Sequence, residues 1–134
     1  MFKIDQVYAR RDIHARYGGQ PQGGISTPRR HPVVFLFTGE AGEAHGYEDG
    51  WFGDGVFQYS GQGQVGNMKF DRGNLAIRDH ALTGKDLHLF EMIGKGQVRY
   101  LGQMEYVRHE LKEEVPDRTD KLRQAILFRL KRVT

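Results

Sequence analysis

Apolar residues in this chain come in short blocks whose spacing changes from block to block, and that change is the first structural signal. Ile4, Val7, Ile13 and Tyr17 fall near one face at helical spacing, and Gly18 stands ready as a left-handed C-terminal cap, so a first helix is predicted over 4–17. Residues 18–28 are too rich in Gly and Pro for an element interior and read as an exposed loop. The uninterrupted run Val33-Val34-Phe35-Leu36-Phe37 predicts a strand buried on both faces. Residues 38–55 are acidic and glycine-rich, which suits a long loop. The next strand, 56–60, carries Phe57 and Tyr59 on one side by the period of two. After a loop over 61–66, Asp71 or Asn74 can cap a second helix over 75–82, closed by Gly84. Three strands are predicted at 87–93, 97–107 and 125–130, with the charged stretch 112–121 as the loop before the last.

These elements define one α+β domain over residues 1–134, with no internal repeat. It is dominated by a strongly bent β-sheet or partly open β-barrel, with two flanking helices and three long loops. A chain of 134 residues with 38% hydrophobic and 28% charged side chains has the composition of an ordinary folded domain. Eighteen glycines against four prolines fit many tight turns between short strands. The absence of cysteine removes disulfide frameworks, thiolate metal sites and thiol nucleophiles. The longest apolar run has five residues, 33–37, where about 20 are needed to span a bilayer. The N-terminus also lacks a hydrophobic signal core, so a cytoplasmic, nucleoid-associated protein without a membrane partner is expected.

Charge changes the picture more than composition does. The formal net charge is only +3, but its distribution is uneven. Residues 1–30 hold six basic side chains and two acids, residues 31–57 hold five acids and no Lys or Arg, and residues 58–134 hold fourteen basic side chains and ten acids. An acidic middle therefore lies between two basic flanks.

Several chemistries are weakly represented. Gly61-Gln62-Gly63-Gln64-Val65-Gly66 fits the dinucleotide pattern G-x-G-x-x-G, but no βαβ unit surrounds it and no helix opens directly after it. The six histidines, at 14, 31, 45, 80, 88 and 109, show no metal-ligand rhythm, and no metal or other cofactor is expected. Pro116-Asp117 with Asp120-Lys121 faintly resembles a metal-dependent nuclease motif, yet crowded into six residues it reads as a solvated turn.

The informative stretch is Gly46-Tyr47-Glu48-Asp49-Gly50-Trp51, followed by Gly55-Val56-Phe57-Gln58-Tyr59-Ser60-Gly61-Gln62-Gly63. Two tyrosines twelve residues apart flank an acidic loop. In a pocket they can face each other across a flat ring, with a carboxylate accepting from an exocyclic amine, as a cytosine-sized base requires. An ordinary or calcium-like acidic loop packed on Tyr59 fits the same spacing.

At these residues the chain resembles the SRA (SET and RING associated, or YDG) domain family, whose pattern runs approximately G-Y-E-D-D and then F-x-Y-T-G-S-G-G. Gly23-Gly24-Ile25 is similar to the family's A-G-I, Arg72-Gly73-Asn74-Leu75-Ala76-Ile77 to its N-x-A-L helix start, and Phe128-Arg129-Leu130-Lys131-Arg132 to its basic final strand. The resemblance implies a PUA-related, non-enzymatic domain that grips duplex DNA and flips a modified cytosine, 5-methylcytosine or 5-hydroxymethylcytosine, into a pocket. Tyr47 and Tyr59 would sandwich the base. The family's second loop acid is Gly50 here, leaving Asp49, backed by Glu48, to meet the amine, with Trp51 nearby; Ser60 replaces a threonine and keeps its hydroxyl. Gln22, Gly23 and Gly24 would form the minor-groove wedge. The loop carrying Gln62, Gly63 and Gln64 is short, which argues against discrimination of hemimethylated CpG. Arg10, Arg11, Arg29, Arg30, Arg129, Lys131 and Arg132 are the candidates for phosphate contacts. Bacterial relatives often accompany an HNH nuclease in modification-dependent restriction enzymes, which makes such a domain or partner an expectation here. A PUA-type RNA-binding module, or a small metal-dependent hydrolase, is the alternative reading.

Overall fold

The computed structural model describes residues 2–39 and 49–133. Eight strands and two helices follow in the order β1 (Val7–Ala9), α1 (Arg10–Tyr17), β2 (Ile25–Ser26), β3 (Val33–Thr38), β4 (Gly50–Trp51), β5 (Val56–Ser60), α2 (Arg72–Arg78), β6 (Asp86–Gly94), β7 (Gln97–Pro116) and β8 (Leu122–Arg132) among the described residues. They form one mixed sheet in the order β2-β3-β6-β7-β8-β5-β4, with β1 added to β7. Among the described residues, only β3 and β6 pair in parallel. The sheet is open: β2 and β4 end the path and do not pair with each other.

The long β7 organises the molecule. Its first part pairs with β6 and β1, and its remainder pairs with β8 from Met104 to Pro116. Register shifts at 106/108 and 112/115 on β7, and at 89/90 on β6, bend the ribbon. One curved sheet thus covers two cores. β3 serves both by alternation: Val34 and Leu36 enter the larger core with Phe57, Tyr59, Ile77 and Phe128, while Val33, Phe35 and Phe37 enter the smaller with Ile13, Tyr17, Phe90 and Tyr100. That double duty is why the sequence shows an unbroken apolar run there.

The structure corrects three boundaries. The segment predicted as helix over 4–17 is split, because residues 7–9 pair with β7 and the helix begins at Arg10. Helical spacing and a strand feeding a helix place Val7, Ile13 and Tyr17 similarly in sequence, and only the long-range pairing separates them. The second helix starts at Arg72 and ends at Arg78, earlier than predicted. Asn74 is inside it and serves a loop instead of the helix end, and Asp71, at the N-cap position, makes no side-chain capping bond. Residues 112–116, predicted as loop, continue β7, since pairing with β8 satisfies their backbone whatever their charge. The short strands β2 and β4 fall within predicted loops.

Candidate nucleic-acid interface

The larger core opens into a cavity of about 580 Å³. Its walls come from Gly23, Gly24 and Ile25, the end of β3 at Phe37, Asp49, Tyr59 and Ser60 of β5, residues 61–65 and 67–69, and Val115, Ala125 and Leu127 of the β7–β8 ribbon. Residues predicted for the pocket, wedge and second loop therefore border one space although they lie up to 41 positions apart, from Gly23 to Gln64.

Tyr59 is fixed within this wall. Alternation along β5 turns its ring into the core, leaving it 3% exposed. Its hydroxyl donates to the Gly24 carbonyl at 2.6 Å and lies 3.2 Å from the Phe37 carbonyl. A single proton serves the shorter contact better, so Gly24 is the principal partner. Burial pushes the phenol well above its usual range and the Asp49 charge adds to this, whereas the Phe37 carbonyl and Arg10 act the other way. Tyr59 is thus a neutral donor. Gly24 allows the approach because a Cβ there would sit 2.9 Å from the Tyr59 hydroxyl.

Asp49 joins the ends of β3 and β5: one carboxylate oxygen accepts from the Ser60 N–H and the other from the Thr38 hydroxyl, both at 2.7 Å. Ser60 borders the cavity, and its own hydroxyl is buried without a hydrogen-bond partner. Trp51 stands outside the cavity. It lies edge-on to Phe57 at 5.1 Å, with the Arg132 guanidinium 5.2 Å from its ring centre. Tyr47 and Glu48 lie outside the described residues.

Both loops over the cavity are braced from beneath. In the first, Arg10 stacks on Phe37 at 3.7 Å, donates to His14 Nε2 at 3.0 Å and reaches the Gln20 carbonyl at 3.3 Å. Since His14 Nε2 accepts, its Nδ1 carries the proton and donates to the Gly18 carbonyl at 2.9 Å. Burial pulls the pKa of this imidazole down; the Gly18 bond opposes that and the Arg10 charge assists it. Gln20 closes the loop by accepting from the Thr27 N–H at 2.7 Å. Only residues 21–23 project, with Gln22 and Gly23 exposed at the tip and Gly24 already half-buried.

In the second loop the fully buried Asn74 accepts from the Gln62 N–H and donates to the Gln62 carbonyl, both at 2.8 Å, and donates to the Lys69 carbonyl at 2.9 Å. The Gln64 backbone and side-chain carbonyls each accept from Arg118 at 2.8 Å. Arg123 donates to the Gly63 and Gly66 carbonyls. Asp117 accepts from Gly66 and from both the N–H and hydroxyl of Thr119, and these bonds, Gly66 and the Thr119 hydroxyl foremost, hold its carboxyl well below the usual range. The G-x-G-x-x-G run is therefore a turn whose carbonyls face a buried cation. Sequence reasoning missed Asn74, Asp117, Arg118 and Arg123 as loop supports. Asp117-Arg118-Thr119 carried a usable signal, because Asp two residues before Thr is a common Asx-turn arrangement.

The predicted phosphate contacts divide into two groups. Arg11, Arg29, Arg30, Lys131 and Arg132 are exposed. Arg10 is buried on Phe37, and Arg129, 9% exposed, pairs with Glu110 at 2.9 Å and lies 3.9 Å from the centre of the Phe52 ring. Among the described residues, no group of three His, Cys, Asp or Glu is arranged to hold a metal, and no helix is long and apolar enough to cross a membrane.

An open mixed sheet with two helices and a cavity between braced loops is the architecture of SRA domains. The sequence matches the family described as "ScoMcrA-like, SRA domain" over residues 4–134, and the chain belongs to that family. Two structures of ScoMcrA are similar to it with a TM-score of 0.76 at 24% identity and 99% of this chain covered. One is its sulfur-binding and SRA domains complexed with phosphorothioated DNA, and the other is the Type IV phosphorothioation-dependent restriction endonuclease. This chain spans 40% of the first and 25% of the second. The SUVH5 SRA domain in complex with fully methylated CG DNA matches with a TM-score of 0.66 at 17% identity, over 99% of this chain and 86% of that one. No curated protein sequence matches.

Proposed function

We propose that this domain binds duplex DNA containing modified cytosine, 5-methylcytosine and/or 5-hydroxymethylcytosine, by turning the base out of the helix into the cavity beside Tyr59. It would act as the non-enzymatic reader of a modification-dependent restriction system, cleavage being left to an HNH or other nuclease domain or partner. The observation that carries this reading is the cavity itself. At about 580 Å³ it falls within the roughly 300–1,000 Å³ of small-ligand sites, and it lies between two loops suited to enter DNA grooves. The related structures support it, since one is a complex with methylated DNA and another with phosphorothioated DNA.

In this reading Tyr47 and Tyr59 sandwich the flipped base, and Glu48 backs Asp49. In the same reading Asp49, which accepts from the Thr38 hydroxyl and the Ser60 N–H, also accepts from the cytosine amine. The unpartnered Ser60 hydroxyl reaches the base edge after rotation about χ1. Gln22, Gly23 and Gly24 fill the vacated stack, and Gln62, Gly63 and Gln64 face the other groove. General affinity comes from Arg11, Arg29, Arg30, Lys131 and Arg132. A buried methyl is worth about 0.8 kcal/mol, so shape alone gives about fourfold preference over plain cytosine.

Duplexes differing only in one cytosine, plain, 5-methyl or 5-hydroxymethyl, test the reading in parallel titrations at 0.15 M salt. A preference for a modified duplex is expected, with increased emission from a fluorescent base beside the modified cytosine only in the duplex. Tyr47→Ala should abolish the preference. Equal affinity for all three duplexes, or tighter binding of RNA, overturns it.

A further inference from the structure

The loop over 18–28 borders two concavities. Gly23, Gly24 and Ile25 line the base cavity, whereas Gly18 and Gly19 line a separate cleft of about 570 Å³ with Arg16, Arg29, Arg30 and His31. Among the described residues, no acidic one lines this cleft. Arg16, Arg29 and Arg30 are all exposed, and none has a hydrogen bond or ion pair within the described residues; Arg16 only lies 5.5 Å from the Tyr17 ring centre. This differs from Arg10 and Arg129, whose guanidiniums are buried and already bonded. Three neighbouring guanidiniums without a counter-charge repel one another, and an anion between them relieves that repulsion. Gly18 and Gly19, which line the cleft, take φ of +81° and +82°, and a Cβ on Gly19 would strike the Ser26 and Pro28 side chains.

We propose that this cleft seats one backbone phosphate of the same duplex whose base enters the cavity, so that one braced loop holds a base and a phosphate together. A diester phosphate has the required chemistry: one negative charge and two unesterified oxygens that match the guanidinium fork. The inference rests on the duplex-binding reading above. Arg16 is the telling member, since it lies on α1, outside the predicted basic pairs, and has no role in either core.

The test combines Arg16→Ala/Arg30→Ala with duplexes carrying a single neutral methylphosphonate linkage, placed at successive positions on each strand around the modified cytosine. Wild-type protein should lose affinity at one linkage in particular. The double variant should reproduce that loss, show no further loss at the same linkage, and reduce the salt slope by about 0.9, the value for one phosphate. Raising salt from 50 to 200 mM would then narrow the gap between wild type and variant by about 3.5-fold. Arg16→Lys/Arg30→Lys should restore the slope. The effect should be equal on modified and plain duplexes, and unchanged melting temperatures will show that these exposed replacements leave the fold intact. An unchanged slope, or losses that add at every linkage, overturns the cleft. If wild type binds all duplexes without preference, the base reading fails instead, and plain duplex still decides the cleft.

Discussion

Replacing Tyr59 with Phe removes one oxygen and keeps the ring that faces the cavity. The structure sets the magnitude. The hydroxyl makes a 2.6 Å bond to the Gly24 carbonyl and a secondary 3.2 Å contact to Phe37. Gly24 still accepts from the Phe37 N–H at 2.7 Å, so its carbonyl is not orphaned. The cost should be that of one neutral hydrogen bond, about 1–1.5 kcal/mol, or roughly 3–6 °C in Tm for a domain of this size. The effect on binding should be selective. If Gly24 serves in the proposed wedge, losing its tether should weaken duplexes, where the wedge must fill a vacated stack, by about tenfold. Single-stranded DNA carrying the same modified cytosine, which offers no stack to fill, should be bound almost as tightly as by wild type.

Fluorescence anisotropy on the two substrates, with thermal unfolding of both proteins, measures these effects. An equal loss on duplex and single strand would show that the hydroxyl contacts the base directly, and no change in Tm would show that the tether contributes nothing; either result refutes the reasoning. The pH dependence adds a check. The folded phenol is raised above its ordinary value of 10.0, so its stabilisation is complete below pH 10 and is lost as pH rises beyond it. The wild-type advantage over the Phe variant should therefore be flat through neutral pH and shrink in strong base.

Other predictions follow from the same contacts. Asn74→Ala leaves the Gln62 N–H and two carbonyls without their partner, and should cost about 3 kcal/mol by denaturant unfolding while weakening all duplexes. Asp117 has a depressed pKa, so its contribution is present above the ordinary carboxylate value of 3.8 and is lost as pH falls below it; Asp117→Asn should flatten that acid limb of the unfolding curve and speed amide exchange at Gly66. Gly24→Ala forces a Cβ to within 2.9 Å of the Tyr59 hydroxyl and should destabilise by about 1–3 kcal/mol. Gly23→Ala meets open space, and its cost, about 1 kcal/mol, should come from φ +85° alone.

The parts of this molecule that were legible in sequence are those whose signal is local. The buried run at 33–37, the alternation in β5 and the last strand each announce themselves through neighbouring residues. β1 and β2 did not: the three residues of β1 hold a strand only through partners on β7 about 90 positions away, and the two residues of β2 are too few to show a period of two. The site shows the same division. Tyr59 stood out beside an acidic loop by spacing, and Asp49 and Ser60 through the family resemblance; all three border one cavity. Arg10 read as a phosphate ligand because sequence shows its charge and not the Phe37 ring that covers it. Asp117 read as part of a solvated turn and Arg123 had no assigned role, although Asp117 accepts from Gly66 and Arg123 donates to Gly63 and Gly66, each more than fifty residues earlier.

That placement of buried polar groups bears on how selectivity arises. Extruding a base costs a few kcal/mol in lost stacking and pairing, whereas one methyl returns only about 0.8 kcal/mol. A reader built this way must recover most of the cost from groups that do not distinguish methylcytosine from cytosine. The structure provides two sets of such groups: loops held ready by Arg10, Asn74, Asp117 and Arg123, which reduce the ordering entropy of binding, and exposed arginines for phosphate. Affinity and discrimination should therefore separate under mutation. Loss of a loop support should weaken modified and plain duplexes in proportion, while changes at Asp49, Ser60 or the Tyr59 ring should alter their ratio; the absence of Lys and Arg from residues 31–57 fits the proposal that phosphate contacts come from the basic flanks.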